Sequence, residues 1–275
     1  MTSATKLHRE ATEMLLETSR TFIIPISHLS PGLQEAVTSA YLCMRAIDEI
    51  EDHRILEKEA KNHLLRSIST LLKKEPFNHT ALSNLLTPYQ KQLPEVSLRL
   101  SDWITLCPPG ASREVLNATA IMAEGMADWV LKDWKIESEQ DLNDYTYYVA
   151  GLVGVMLSHI WKWYDGTETD EKLAIGFGRG LQSVNILRNR KEDLERGEVD
   201  FFPNDWDFDD MFEYARKNLA LADAYIEDIE TTSILNFCKI PLALAHGTLN
   251  ALNNGKEKIS RADVTEIVKQ AVEES

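Results

Sequence analysis

Apolar residues recur at intervals of three and four along almost the whole chain, which is the period of helices with one buried face. The stripe is clearest between Leu33 and Ile47. The 275 residues include only 12 glycines and 9 prolines, so few tight turns are available and long helices are favoured over many short strands. The sequence therefore predicts an all-α fold, with one helical domain over residues 1–275 packed around a common core.

Start and stop signals place the expected helices. One helix is expected from Leu33 to about His53, with Ser30 as its N-cap, and Ser138 is expected to begin another. The proline-rich segment 76–112 predicts two short helices and a turn. The remaining helices are expected at about 56–72, 113–134, 138–164, 170–196, 208–230, 233–252 and 260–272.

The charge balance limits the partners of this chain. It has 29 basic and 44 acidic side chains, a net charge of −15, which repels nucleic-acid phosphates. A nucleic-acid partner is therefore not expected. An anionic substrate would need a local basic pocket or bridging metal ions.

Cysteine usage and hydropathy address the compartment. Cys43, Cys107 and Cys238 are far apart and form no CxxC pair, which argues against a disulfide framework and a zinc site. We expect reduced thiols and a cytoplasmic location. The first residues contain no apolar signal-peptide core, and no run of 18 apolar residues predicts a membrane span. At most peripheral membrane contact is expected, and the sequence gives no oligomeric state.

The first polar cluster lies on the predicted helix that begins at Leu33. Tyr41, Arg45, Asp48 and Asp52 are three or four residues apart, so they share one helix face. Mg²⁺ prefers oxygen ligands and is commonly held by one or two carboxylates together with substrate phosphate oxygens. Arg45 would bind a phosphate oxygen directly. The alternative interpretation of this cluster is a solvated acidic helix face.

A second polar cluster follows more than 130 residues later. Asn185, Asn189 and Asp193 are four residues apart, with Gln182 extending the line and Arg188 beside it. Oxygen donors at this spacing, facing the first cluster across a cavity, would hold further Mg²⁺ ions. The alternative is a polar helix end stabilised by ion pairs. The occurrence of two such helices in one all-α chain favours metal binding over the two structural alternatives.

Five stretches of the sequence resemble, in order, the motifs of the squalene and phytoene synthase family. They read SRTF (19–22), YLCMRAIDEIED (41–52), YTYYVAGLVG (145–154), NILRNRKED (185–193) with the loop to 203, and NFCKIP (236–241) with GTL (247–249). The second and fourth are similar to the family's two aspartate-rich motifs. The last is most similar to the squalene synthase branch. The resemblance covers about residues 15–255.

The resemblance implies an isoprenoid synthase fold, a helical bundle around a central cavity, and an enzyme that ionises a prenyl diphosphate with Mg²⁺. The implied catalytic residues are Tyr145, Arg45, Asp48 and Asp52. The implied Mg²⁺ ligands are Asp48, Asp52, Asn185, Asn189 and Asp193. The implied diphosphate ligands are Ser19, Arg20, Thr21, Arg45 and Arg188. The implied lining of the prenyl channel is Phe22, Tyr41, Val149, Val153, Gly154, Leu181, Gln182 and Phe237.

One departure from the family leaves the reaction open. Asn189 stands where the family usually has an aspartate, and a neutral amide should bind Mg²⁺ less tightly. Three functions remain: condensation of two farnesyl diphosphates to squalene or dehydrosqualene; ionisation of one prenyl diphosphate by a cyclase, phosphatase or other prenyltransferase; and a binding protein without catalysis. Squalene formation would also need NADPH, for which Lys258 and Arg261 are candidate contacts.

Overall fold

The structure is a computed structural model that describes residues 3–19, 22–196 and 199–273. Among these residues it contains α-helices, one 3₁₀ helix and one π-helix, and no strand. The prediction of an all-α fold is confirmed. The α-helices are α1 (Ser3–Ser19), α2 (Ile23–Ser27), α3 (Leu33–Glu51), α4 (Lys58–Leu72), α5 (His79–Leu86), α6 (Glu95–Leu98), α7 (Leu100–Leu106), α8 (Pro109–Leu131), α9 (Glu139–Thr146), α10 (Leu152–Asp165), α11 (Glu171–Glu195), α12 (Phe208–Glu227), α13 (Thr232–Asn253) and α14 (Arg261–Glu273).

The chain divides into two units, Met1–Asp133 and Trp134–Ser275. In the first unit, α3 is the central helix and packs against α1, α6, α7 and α8, while α4 packs against α8. Buried hydroxyls connect these helices: Ser39 donates to the Trp103 carbonyl at 2.7 Å, and Ser97 donates to the Ala46 carbonyl at 2.9 Å. The apolar stripe of α3 is buried almost throughout, so its polar residues are held on a rigid element.

The second unit is arranged around α11, which packs against α10, α12 and α13. Glycine allows α11 to approach the π-helix at Tyr147–Gly151 and the following helix, α10, very closely. A Cβ atom added at Gly178 would lie 2.0 Å from the Ala150 carbonyl oxygen, and one added at Gly154 would lie 2.0 Å from the Ala174 carbonyl oxygen. The two backbones therefore touch at two points, which fixes their separation.

A π-helix at Tyr147–Gly151 interrupts the helix that the sequence predicts over 138–164. Such turns are rare and usually occur as single-turn insertions in α-helices. Just before it, the Arg179 guanidinium of α11 donates to the Asn143 carbonyl at 2.9 Å and to the Thr146 hydroxyl at 3.1 Å. Apolar periodicity gives no signal for a π-turn, so the interruption was not predicted.

Several predicted boundaries are corrected by the structure. Gly32, with a positive φ of 84°, occupies the N-cap of α3 in place of Ser30. This helix ends at Glu51, two residues before the predicted end. The segment 76–112 forms three short helices and a 3₁₀ turn before α8 begins. Ser138 is the N-cap of α9, as predicted, and shares a capping box with Asp141.

Two further expectations concern the number of domains and membrane-spanning helices. The prediction of a single domain over residues 1–275 stays a prediction. Among the residues that the structure describes, no helix combines the length and the apolar character that crossing a membrane requires.

Candidate active site

The last two turns of α3 carry the first predicted metal-binding segment. Arg45 and Asp48 are brought together, with 3.9 Å between a guanidinium nitrogen and a carboxylate oxygen, and Arg45 also pairs with Glu49. Asp52 is the C-cap of the helix, and its backbone N–H donates to the Asp48 carbonyl at 2.8 Å. Asp48 and Asp52 therefore lie one helical turn apart, as the spacing predicts.

The electrostatics of this segment favour a bound cation. Burial is the main cause, and the negative charge of Asp52 the second, of the rise in the pKa of Asp48 to about 8. The pKa of Asp52 is also raised, mainly by burial. Ionising Asp48 and Asp52 at the same time is therefore unfavourable in the protein alone. A divalent cation bound between them would stabilise both carboxylates.

Arg45 offers a complementary site for an anion. Its Nε atom is buried and has no hydrogen-bond partner among the described residues. A buried guanidinium N–H without a partner is costly, and a phosphate oxygen is the acceptor that a guanidinium binds best. The segment thus combines a free donor for a phosphate with carboxylates for a metal ion.

The end of α3 is held by a lysine that sequence reasoning missed. Lys61 of α4 is 7% exposed, and its ammonium donates to the Glu51 carbonyl at 2.6 Å. Burial lowers the pKa of Lys61, whereas the nearby carboxylates of Glu51 and Asp52 act in the opposite direction. A lysine on the apolar stripe of α4 was the signal that could have identified it.

The next loop is also ordered by one side chain. The His53 Nδ1 atom accepts hydrogen bonds from the backbone N–H groups of Ile55 at 3.3 Å and Leu56 at 3.1 Å. The opposite ring nitrogen, Nε2, lies 3.0 Å from the Gln92 carbonyl and donates to it, since Nδ1 is an acceptor. The chain that leaves Asp52 is therefore fixed.

Other predicted residues of the first unit lie near the start of α2 and on α3. The rings of Phe22 and Tyr41 stack with centroids 5.9 Å apart. The Ser19 hydroxyl is buried and accepts a hydrogen bond of 3.1 Å from the Ile23 N–H. Arg20 and Thr21, predicted to bind diphosphate, lie outside the described residues. The structure thus brings two predicted channel residues together.

The second predicted metal-binding segment lies on α11 in the second unit. Asn185 is exposed, whereas Asn189 and Asp193 are half-buried. The four-residue spacing on a regular helix places the three side chains on one face, as predicted. Arg188 donates to the Asn189 amide oxygen at 3.2 Å. The oxygen that would bind a metal at this position therefore has a cationic neighbour.

Tyr145 lies at the end of α9, just before the π-helix, and is 6% exposed. Its ring stacks on Phe201, with centroids 4.8 Å apart and planes at 21°. Phe201 was not predicted to be a site residue, because its contact with Tyr145 joins positions more than 50 residues apart. An aromatic pair is thus built around the predicted catalytic tyrosine.

The predicted channel residues of the second unit occupy α10, the π-helix, α11 and α13. Gly154 contacts the backbone of Ala174, and Phe237 packs edge-on against Trp161 at 5.5 Å. The others are half-buried: Val149, Val153, Leu181 and Gln182. The lining of a prenyl channel by these residues stays a prediction.

The candidate NADPH contacts lie at the start of α14 and in the loop before it. Lys258 forms an ion pair with Glu192 of α11, and Lys191 of α11 pairs in turn with Glu257 at 2.6 Å. Arg261 is exposed at the first position of α14. The structure therefore gives Lys258 a protein partner, and NADPH binding by Lys258 and Arg261 stays a prediction.

The carboxylates of Asp48 and Asp52 fit a Mg²⁺ ion that is bound jointly by the protein and by the substrate phosphates. Among the described residues, no group of three or more histidine, cysteine, aspartate or glutamate side chains is arranged to hold a metal ion by itself. Mg²⁺ normally keeps water and substrate phosphate oxygens in addition to one or two carboxylates. Asp48 and Asp52, beside the unpaired Nε donor of Arg45, match that requirement.

Comparisons with known proteins identify the family of this chain. The family model described as squalene/phytoene synthase matches residues 15–206. Squalene synthase of Dictyostelium discoideum is 30% identical, with 88% of this chain and 63% of that protein aligned. Squalene synthase of Eremothecium gossypii is 30% identical over 92% of this chain and 63% of that protein. The chain thus spans less than two thirds of the length of these relatives.

Solved structures show the same fold. A structure of TcSQS with the ligand E5700 has a TM-score of 0.79 and 22% identity, covering 96% of this chain and 85% of that one. A dehydrosqualene synthase in complex with a ligand has a TM-score of 0.65 and 19% identity, covering 98% and 96%. Together with the match over residues 15–206, these comparisons show that the chain belongs to the squalene/phytoene synthase family.

Proposed function

We propose that this chain is a prenyltransferase that joins two farnesyl diphosphate molecules head to head, through presqualene diphosphate, to squalene or dehydrosqualene. The observation that carries the proposal is the segment at the end of α3, where Asp48 and Asp52 lie beside the buried, unpaired Nε donor of Arg45. The match to the squalene/phytoene synthase family supports the same chemistry.

The first half of the reaction is release of diphosphate. Asp48 and Asp52 are one proposed set of Mg²⁺ ligands, and Asn185, Asn189 and Asp193 are a second; the metal would supply positive charge that neutralises the leaving diphosphate. Arg45 donates to a phosphate oxygen through its Nε atom, and its pairing with Glu49 fixes the guanidinium plane. Arg188, Ser19, Arg20 and Thr21 are the further proposed diphosphate ligands.

The second half requires protection of an allylic cation. Tyr145 and Phe201 present a pair of stacked rings, and an aromatic face stabilises a cation that lies over it. The Tyr145 hydroxyl is a candidate donor of a proton to the departing diphosphate. Burial of this ring excludes water, which would otherwise capture the cation as an alcohol.

A second candidate function is supported by Asn189. Its amide carries no charge, and its oxygen already accepts a hydrogen bond from Arg188. A second metal-binding segment weakened in this way favours an enzyme that ionises only one prenyl diphosphate and ends in cyclisation or capture by water. A binding protein without catalysis is disfavoured, because Arg45, Asp48, Asp52 and Tyr145 are all retained.

One incubation separates these functions. Purified protein is given farnesyl diphosphate and Mg²⁺, with and without NADPH, and the organic extract is analysed by gas chromatography and mass spectrometry. We expect a thirty-carbon hydrocarbon, and its dependence on NADPH distinguishes squalene from dehydrosqualene. A fifteen-carbon product establishes the one-substrate enzyme. Absence of diphosphate release with any prenyl chain length contradicts both catalytic functions.

A further inference from the structure

We propose that Arg190 and Asp200 are positioning residues that hold the Phe201 ring against Tyr145. This inference rests on the proposed function, because it gives these residues a role through the catalytic tyrosine. Both lie in the family-like stretch 185–203, but neither is among the residues to which the resemblance assigns metal or diphosphate binding. Their contacts lie entirely within the second unit.

The first step is the pairing of Arg190 with Asp200. The guanidinium donates twice to the carboxylate, from Nε at 3.1 Å and from a terminal nitrogen at 2.8 Å. Both side chains are about one third exposed, at 31% and 35%. A bidentate pair fixes orientation as well as distance, unlike a contact between point charges. The Arg190 side chain therefore points towards Asp200.

The second step passes from Asp200 to the loop backbone. The same carboxylate oxygen that faces Arg190 Nε also accepts the Phe202 N–H at 3.1 Å. The Arg190 guanidinium lies over the Phe202 ring, 3.6 Å from its centroid, and Phe202 is 5% exposed. Phe202 is therefore fixed through its backbone and its ring.

The third step concerns Phe201, which lies between the two anchored residues. The contacts of Asp200 and Phe202 restrict the backbone on both sides of Phe201, and its ring stacks on Tyr145 with centroids 4.8 Å apart. Tyr145 is the second-last residue of α9, and the π-helix begins two residues later, so the backbone on its C-terminal side departs from regular α-helical geometry. The Phe201 ring supplies a lateral support that this backbone does not.

The consequence is a defined chemical role. A supported Tyr145 ring keeps its hydroxyl and its face aligned with the reacting groups, and small misplacements of such groups can cost on the order of a hundredfold in rate. Loosening the pair also admits water beside the cation. We therefore expect slower turnover together with a larger share of fifteen-carbon alcohol.

A double-mutant cycle tests the pairing. The variants are Arg190→Gln, Asp200→Asn and the double variant, with Arg216→Gln as control, because Arg216 forms an exposed bidentate pair with Glu213 in the same unit. We expect kcat to fall about tenfold in each single variant, with KM for farnesyl diphosphate changed less than about twofold. The double variant should be no slower than the slower single variant, because one unit is lost.

A chemical readout is independent of turnover. Tyr145 is nitrated with tetranitromethane, and the extent is read from its peptide by mass spectrometry. Nitration should be slow in the wild type and in Arg216→Gln, and faster in Arg190→Gln and Asp200→Asn. If a clamp variant does not fold, Phe201→Leu removes the supporting ring while keeping the ion pair, and the same loss of kcat and the same gain in nitration are expected.

The outcomes separate the two proposals. Unchanged kcat and unchanged Tyr145 nitration in folded Arg190→Gln overturn the positioning role while an active wild type leaves the proposed function intact. Rate losses that multiply in the double variant also overturn it. A wild-type protein that releases no diphosphate contradicts the proposed function, and the nitration rates then decide separately whether the clamp holds Tyr145.

Discussion

The Lys61 ammonium donates a 2.6 Å hydrogen bond to the backbone carbonyl of Glu51, the last residue of α3. The last carbonyls of a helix have no partner within the helix, and a cation there also opposes the negative end of the helix dipole. The acceptor is one residue from Asp52, a proposed metal ligand. A buried lysine thus stabilises the helix end that presents the first metal-binding segment.

Replacing Lys61 with methionine should therefore destabilise the fold. The variant keeps a long side chain but loses the hydrogen bond to the Glu51 carbonyl and the cation near the Glu51 carboxylate. We expect a loss of about 2–4 kcal/mol in the free energy of unfolding, measured by urea denaturation.

Lys58→Met is the matched control on the same helix. Lys58 pairs with Asp133 at 2.7 Å, but both side chains are partly exposed, at 34% and 58%. An exposed pair of this kind contributes less than about 1 kcal/mol. Equal losses in the free energy of unfolding in the two lysine variants would show that burial does not make the Lys61 contact stronger than an exposed one.

Local spacing explains which parts of the site could be predicted. Arg45 and Asp48 are neighbours because of helix geometry alone, and the capping box at Ser138 is read from four consecutive residues. The contacts Lys61–Glu51 and Tyr145–Phe201 cross loops, so they depend on how the chain folds back, which no periodicity encodes. The hydrogen bonds from Arg179 to Asn143 and Thr146, just before the π-helix, likewise join residues more than 30 positions apart.

The close approach at Gly178 gives a second prediction. A Cβ atom at this position would lie 2.0 Å from the Ala150 carbonyl oxygen, and backbone cannot rotate away. Gly178→Ala should lower the free energy of unfolding by on the order of 3 kcal/mol, because α11 and the π-helix must separate. Thermal and urea unfolding measure this loss.

Gly151→Ala provides a graded comparison. The added Cβ atom would meet the Ile175 Cγ2 atom at 3.1 Å, and a side chain can shift where a backbone carbonyl cannot. We expect a change within about 1 kcal/mol. Similar losses in both glycine variants would mean that the distance to backbone at Gly178 is not what limits packing.

Removal of one carboxylate should separate activity from stability. Asp48→Asn should abolish diphosphate release, because the first segment loses half of its negative charge for Mg²⁺. The same variant removes a carboxyl whose ionisation is opposed first by burial and then by the charge of Asp52, so the protein with EDTA should unfold at a temperature about 2–4 °C higher than wild type.

The two readouts check each other. Diphosphate is measured by a coupled colorimetric assay, and unfolding by scanning calorimetry in EDTA. Asp102→Asn serves as control, since Asp102 of α7 pairs with Arg99, the residue before that helix. Diphosphate release at the wild-type rate in Asp48→Asn would remove Asp48 from the metal-binding residues.

Asn189 yields the most direct test of the second metal-binding segment. Asn189→Asp adds a carboxylate four residues from both Asn185 and Asp193, and the new charge attracts Arg188 as well as a metal ion. We expect Mg²⁺ affinity to rise about tenfold in the presence of a non-hydrolysable prenyl diphosphate analogue, since affinity for hard cations follows the number of charged ligands. Isothermal titration calorimetry gives the binding constants.

Asn84→Asp is the control, because it adds the same charge to an exposed position of α5 and should leave the Mg²⁺ binding constants unchanged. If both variants bind Mg²⁺ as the wild type does, Asn189 is not a ligand. A rise confined to Asn189→Asp, accompanied by more thirty-carbon product, would instead show that the neutral amide limits the two-substrate reaction.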